Sequence, residues 1–125
     1  MKQKHLPAIL LLLFVFAGAC KKYEEDLLSG TWSGSAILED RQPLGIEPSD
    51  IKLTLEPNGN YHYESTLNYE EAGTYYLEQQ YLYTMDTLNQ ASTEKAVEIV
   101  LLTADSLHIR MNEGGKERLL MMVRQ

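Results

Sequence analysis

Residues 51–65 read Ile51-Lys52-Leu53-Thr54-Leu55-Glu56-Pro57-Asn58-Gly59-Asn60-Tyr61-His62-Tyr63-Glu64-Ser65. Ile51, Leu53 and Leu55 alternate with Lys52, Thr54 and Glu56, and a period of two puts the apolar side chains on one face of an extended chain. Asn58-Gly59 then interrupts the pattern, and that pair tolerates the positive φ a tight antiparallel turn demands. Beyond it, Tyr61, Tyr63, Ser65, Leu67 and Tyr69 alternate with His62, Glu64, Thr66 and Asn68. The segment predicts a β-hairpin whose two strands each bury one face.

The same grammar extends in both directions. Thr31–Leu38 forms a first strand upstream. Downstream, strands are predicted at residues 73–78, 81–85, 96–102, 107–112 and 119–124, with turns near Gln79-Gln80, Asn89–Thr93, Ala104-Asp105-Ser106 and Glu113–Lys116. Leu27 and Leu28 allow one short helical turn before Gly30, and no longer stretch after Cys20 keeps the spacing of an amphipathic helix. Eight consecutive strands with short connections point to an all-β fold, an eight-stranded up-and-down antiparallel barrel. A two-sheet β-sandwich is the alternative. Closure would remove the unpaired edges that invite aggregation, and a barrel of this size is filled by side chains or holds one small ligand.

Composition narrows the function. The chain has 125 residues, which predicts one domain, and it is 44% apolar and 23% charged, as globular proteins are. Eleven Lys and Arg against eighteen Asp and Glu give a net charge of −7, which argues against a nucleic-acid partner. One cysteine excludes an internal disulfide, and His5, His62 and His108 are too scattered to suggest metal ligands, so no metal or cofactor is expected.

The N-terminus reads as an address. Lys2, Lys4 and His5 precede an apolar run from Leu6 to Ala19, 14 residues long, whereas a membrane-spanning helix needs about 20. A cleaved export signal over residues 1–19 fits better. Ala17-Gly18-Ala19-Cys20 resembles the bacterial lipobox, in which the cysteine carries a diacylglycerol and becomes the new N-terminus. The only cysteine of the chain occupies that position, and several acyl chains anchor a domain at about 0.8 kcal/mol per buried methylene. Loss of Lys2 and Lys4 would deepen the net charge to −9. Residues 20–26 would form a charged tether. Lys21, rather than an aspartate, follows the cysteine, and Glu24-Glu25-Asp26 comes next, a pattern resembling outer-membrane lipoproteins of gut anaerobes. The expected location is the Gram-negative envelope, lipid-anchored at the outer membrane, with the domain at 27–125 a monomer.

Gly30-Thr31-Trp32 opens the first strand and resembles the Gly-x-Trp signature of lipocalins. Together with Asn58-Gly59-Asn60-Tyr61, Gly73-Thr74-Tyr75, Leu102-Thr103 and Ser106-Leu107, it makes residues 27–124 similar to small lipocalin-like lipoproteins. In lipocalins the tryptophan plugs one end of the barrel, and a basic residue near the last strand covers it. The resemblance therefore implies a structural plug of Gly30, Trp32 and Arg124. The short chain and the lack of a C-terminal helix after the strands depart from full lipocalins.

Seven of the eight tyrosines lie between positions 61 and 83. Tyr61, Tyr63 and Tyr69 share a face of the third strand, and Tyr75 continues that parity. Tyr83 shares a face with Tyr81, but the intervening Leu82 leaves its direction open. Inward rings at Tyr61, Tyr63, Tyr75 and Tyr83 would line a site for a small apolar or sugar-like ligand; outward rings would make a partner surface; and tyrosine favours strands in any case. His62 with Glu64, and Asp40 with Arg41, lack a third group to orient an acid–base pair. Glu70-Glu71 is expected in a turn, solvated. No nucleophile elbow or phosphate loop occurs, so catalysis is not expected. Two functions fit: a lipid-anchored envelope module holding a small ligand, or a module whose acidic surface recognises a basic protein.

Overall fold

In the computed structural model, residues 25–125 are described, apart from Ser92 and the side chain of Glu113; Cys20 and the expected signal and tether up to residue 24 lie outside the described residues. A single helical turn, α1 (Glu25–Leu28), leads into nine strands: β1 (Gly30–Glu39), β2 (Gln42–Pro43), β3 (Lys52–Leu55), β4 (Asn60–Glu64), β5 (Glu70–Glu78), β6 (Tyr81–Asp86), β7 (Lys95–Leu102), β8 (Ser106–Glu113) and β9 (Lys116–Arg124). Each strand from β3 onward pairs antiparallel with the next, and β1 pairs with β9 from Trp32↔Arg124 to Glu39↔Arg118. That last ladder closes the sheet into an eight-stranded barrel and excludes two open sheets.

The strand beyond the eight of the barrel, β2, is a two-residue stub. Asp40 and Arg41 both take positive φ, 50° and 69°, a tight turn that folds Gln42–Pro43 back on Leu38–Glu39. On the edge of β1 away from β9, β3 covers Gly30–Ser33 and β2 covers the far end. Between them a 3₁₀ turn, Pro48–Asp50, closes on β1 so tightly that a Cβ at Gly34 would lie 2.2 Å from the Pro48 carbonyl oxygen. A bulge at Ser35 then shifts the β1–β9 register.

Strand β4 ends at Glu64, five residues earlier than the alternation through Tyr69 predicts. Residues 66–68 form a 3₁₀ turn in which Leu67 and Asn68 adopt left-handed backbone (φ 60° and 58°), and Leu67 is 98% exposed. Tyr69 therefore belongs to the β4–β5 loop, and Glu70 and Glu71 open β5 instead of sitting in a turn.

Inside, parity works as the pleat requires. Leu53, Leu55, Tyr61, Tyr75, Leu82, Ile99, Leu107, Ile109, Leu120 and Met122 form one apolar core with Leu28 and Trp32. The barrel closes on itself and buries its own core, so these residues make a self-contained folding unit. Its two ends differ. At the end where β1 starts, the connections are short (residues 56–59, 79–80 and 103–105) and α1 lies beneath; at the opposite end run the longer loops 65–69 and 87–94.

Candidate functional site

The end where β1 starts is sealed. Trp32 is fully buried, and its indole N–H donates to the Leu28 carbonyl at 2.9 Å, tying α1 across the barrel base. The Arg124 guanidinium lies 4.2 Å over the indole ring, a geometry worth about 0.5–2 kcal/mol. Its N–H groups also donate to the carbonyls of Leu27, Ser29 and Ala104. Gly30 takes φ +139°, and a Cβ there would lie 2.3 Å from Arg124 Nη1, so both the backbone and the close approach favour glycine. The structure thus brings Gly30, Trp32 and Arg124 together in one plug.

The other end is open. A cavity of about 430 Å³ enters the barrel there, within the range of small-molecule sites. Its floor is apolar, from Leu53, Leu82 and Ile109, its wall includes Val97 and Met111, and Tyr61, Tyr63, Tyr69, Glu71, Lys95 and Arg118 complete the lining. Tyr63 and Tyr69 meet edge to face, ring centres 6.4 Å apart.

Glu71 organises this rim. It stands opposite Tyr63 in the β4–β5 register and is only 5% exposed. A buried carboxylate is costly unless it is paired and hydrogen-bonded, and Glu71 has three donors: Tyr61 hydroxyl at 3.0 Å, Tyr69 hydroxyl at 2.6 Å and Lys95 Nζ at 2.8 Å. Burial alone would raise its pKa; the hydrogen bonds from Lys95 and Tyr69, with the Lys95 charge, hold it below the ordinary value instead. Conversely, donation to Glu71 pushes the Tyr69 hydroxyl up to about 12, and burial, then the Glu71 charge, pushes Tyr61 higher still. At neutral pH both hydroxyls keep their protons and serve as donors to the carboxylate.

Two further carboxylates face inward at this end. Glu39 receives Arg118 Nε at 2.8 Å and Lys116 Nζ at 3.5 Å, and the Arg118 hydrogen bond lowers its pKa despite desolvation. Burial of Asp86 opposes its ionisation, but the Asn89 side chain and the backbone N–H groups of Asn89, Ala72 and Leu88 prevail and hold it ionised. Asp86 is thereby closed into the turn that follows β6 and lies outside the cavity lining.

Of the tyrosines that parity nominated, Tyr61 and Tyr63 line the cavity. Tyr75 points inward but lies lower in the core, its hydroxyl donating to the Glu56 carbonyl at 2.7 Å. Tyr83 points out. Leu82 takes the inward position of β6, and Tyr83 stacks on Tyr76 on the outer wall at 4.9 Å. His62 also lies outside, its ring hydrogen-bonded to Glu70 with Glu64 3.7 Å from its other nitrogen. Among the described residues no group of three His, Cys, Asp or Glu could hold a metal ion.

The barrel has solved counterparts. A lipocalin-like protein from Bacteroides uniformis superposes with a TM-score of 0.60 at 10% identity, over 79% of this chain and 99% of its own. The fold is a lipocalin-like barrel. An uncharacterized protein from Bacteroides eggerthii superposes with a TM-score of 0.53 at 13% identity, over 78% of this chain and 98% of its own. No protein-family model and no curated protein sequence matches the chain.

Proposed function

We propose that this protein is a non-catalytic binding protein that holds a small molecule with an apolar body in the open end of its barrel. The cavity carries this reading: about 430 Å³, apolar below and ringed above by tyrosines and charged side chains. A closed eight-stranded barrel is wide enough to hold one small ligand. The Ala17-Gly18-Ala19-Cys20 stretch supports acylation at Cys20, and Lys21 after it supports the outer membrane of a Gram-negative envelope as the place of work.

Native mass spectrometry of the barrel purified from its own host tests the container. The expected result is a retained small molecule that is lost in Tyr63→Ala. An empty barrel that instead captures a basic protein, and releases it as salt is raised, overturns the reading in favour of recognition through the acidic exterior. For the anchor, Cys20→Ser is expected to abolish labelling by radioactive palmitate. Unchanged labelling would reject the assignment.

A further inference from the structure

Charge inside the cup is distributed unlike charge on the rest of the barrel. Residues 25–125 carry seventeen Asp and Glu against seven Lys and Arg, yet the cavity lining holds two cations, Lys95 and Arg118, and a single carboxylate, Glu71. That carboxylate already accepts from Tyr61, Tyr69 and Lys95. Lys95 gives one N–H to Glu71, and Arg118 engages Glu39 through Nε. An ammonium has three N–H donors and a guanidinium five, so both cations keep donors for a guest. Arg118 pairs with Met111 in the β8–β9 register, and Lys95 stands on β7, the strand beyond β8. The two cations therefore flank the Met111 wall, above the apolar floor formed by Leu53, Leu82 and Ile109.

Resting on the container reading, we infer that the guest is an amphipathic anion, its carboxylate held between Arg118 and Lys95 and its apolar body lowered onto the floor. The guanidinium fork matches a carboxylate's two oxygens. An amine would find only an acceptor already engaged by three donors, and an uncharged polar head would use the spare N–H donors of Arg118 and Lys95 without the added strength of a charge-assisted hydrogen bond. The acidic exterior does not forbid the guest, because attraction from two cations a few ångströms away outweighs charges screened beyond about 10 Å.

Titration calorimetry on residues 21–125 with decanoate, decanol and decylamine, at neutral pH and fixed ionic strength, separates head from tail. Decanoate is expected to bind about tenfold more tightly than decanol, with decylamine weakest. Arg118→Gln and Lys95→Gln are each expected to remove most of that preference by weakening decanoate more than decanol, with an unchanged Trp32 fluorescence spectrum showing that the barrel is still folded. Decanol or decylamine binding as well as decanoate would overturn the inference while leaving the container intact. So would three silent titrations if the host-purified barrel does retain a small molecule. Silence from all three together with an empty host-purified barrel would overturn the container reading as well.

Discussion

The two ends of this barrel are built from the same strands and solve opposite problems. At the plugged end, Trp32, Leu28, Leu107 and Met122 are fully buried, and Arg124 is laid over the indole with its donors on backbone carbonyls. At the open end, Glu71 is as buried as many core residues and yet charged, held by two tyrosines and a lysine beside a cavity. Dense apolar packing stabilises with little dependence on pH. A hydrogen-bonded polar rim keeps space open but ties stability to protonation. Each barrel strand contributes residues to both regimes, so the division falls across the strands rather than between them.

The sharpest way to break the comparison is Trp32→Ala. Emptying that site is expected to cost on the order of 3–5 kcal/mol, measured by urea unfolding; a midpoint close to wild type would show that the plug is not where stability resides. Glu71→Gln comes next, at about 1–3 kcal/mol, because Lys95 loses its counter-charge and the three-donor arrangement is disturbed. Its effect should be larger on cavity occupancy than on the spectrum of Trp32, and the reverse pattern would mean that the two ends are coupled.

Acid should separate the ends without mutation. Glu39, Glu71 and Asp86 are all held below the ordinary carboxylate range, and all three lie at the open end. As pH falls, the unfolded chain takes up protons at the ordinary values while the folded one resists. Stability present above the usual carboxylate pKa is therefore lost as pH drops through the lowered folded values. Urea midpoints followed from neutral pH to about pH 3 should decline, and Glu71→Gln should flatten the slope. A pH-independent midpoint would contradict this. Arg124→Met is expected to cost about 0.5–2 kcal/mol through the lost cation–π contact, with decanol binding at the far end unaffected. Smallest of all is Tyr83→Ala, which removes the outer-wall stack on Tyr76 and should leave decanol affinity, measured by the same calorimetry, unchanged.

The plugged end was the more legible in the sequence, because its signals are local or topological. Gly30 and Trp32 stand two apart, and an antiparallel last strand must finish beside the start of the first, which is how Arg124 reaches Trp32. The open end was partly hidden. Alternation was carried through Ser65–Asn68 because Leu67 is apolar by type, whereas its left-handed, exposed conformation ends the strand without a glycine to announce it. Starting β5 late left Glu71 in a supposed turn, although it shares the odd parity of Tyr75 and so must point inward once the strand begins at Glu70. Lys95 has the same parity as the inward Ile99, and the signal was available but masked by its charge. Tyr83 was ambiguous for a physical reason: in Tyr81-Leu82-Tyr83 either face is apolar enough to bury, and packing against the core chose the leucine. Gln42–Pro43 is too short for any period to register.

The first described helix and the last described residue both sit at the plugged end: α1 lies under Trp32, and the Gln125 N–H donates to the Thr31 carbonyl at 2.9 Å. The chain therefore enters and leaves the barrel on the side away from the cavity. A tether at either terminus, whether an acyl anchor or an affinity tag on a sensor chip, holds this molecule by its base with the mouth turned outward. A guest of the kind proposed would then reach the mouth from the aqueous side, without the supporting surface in the way.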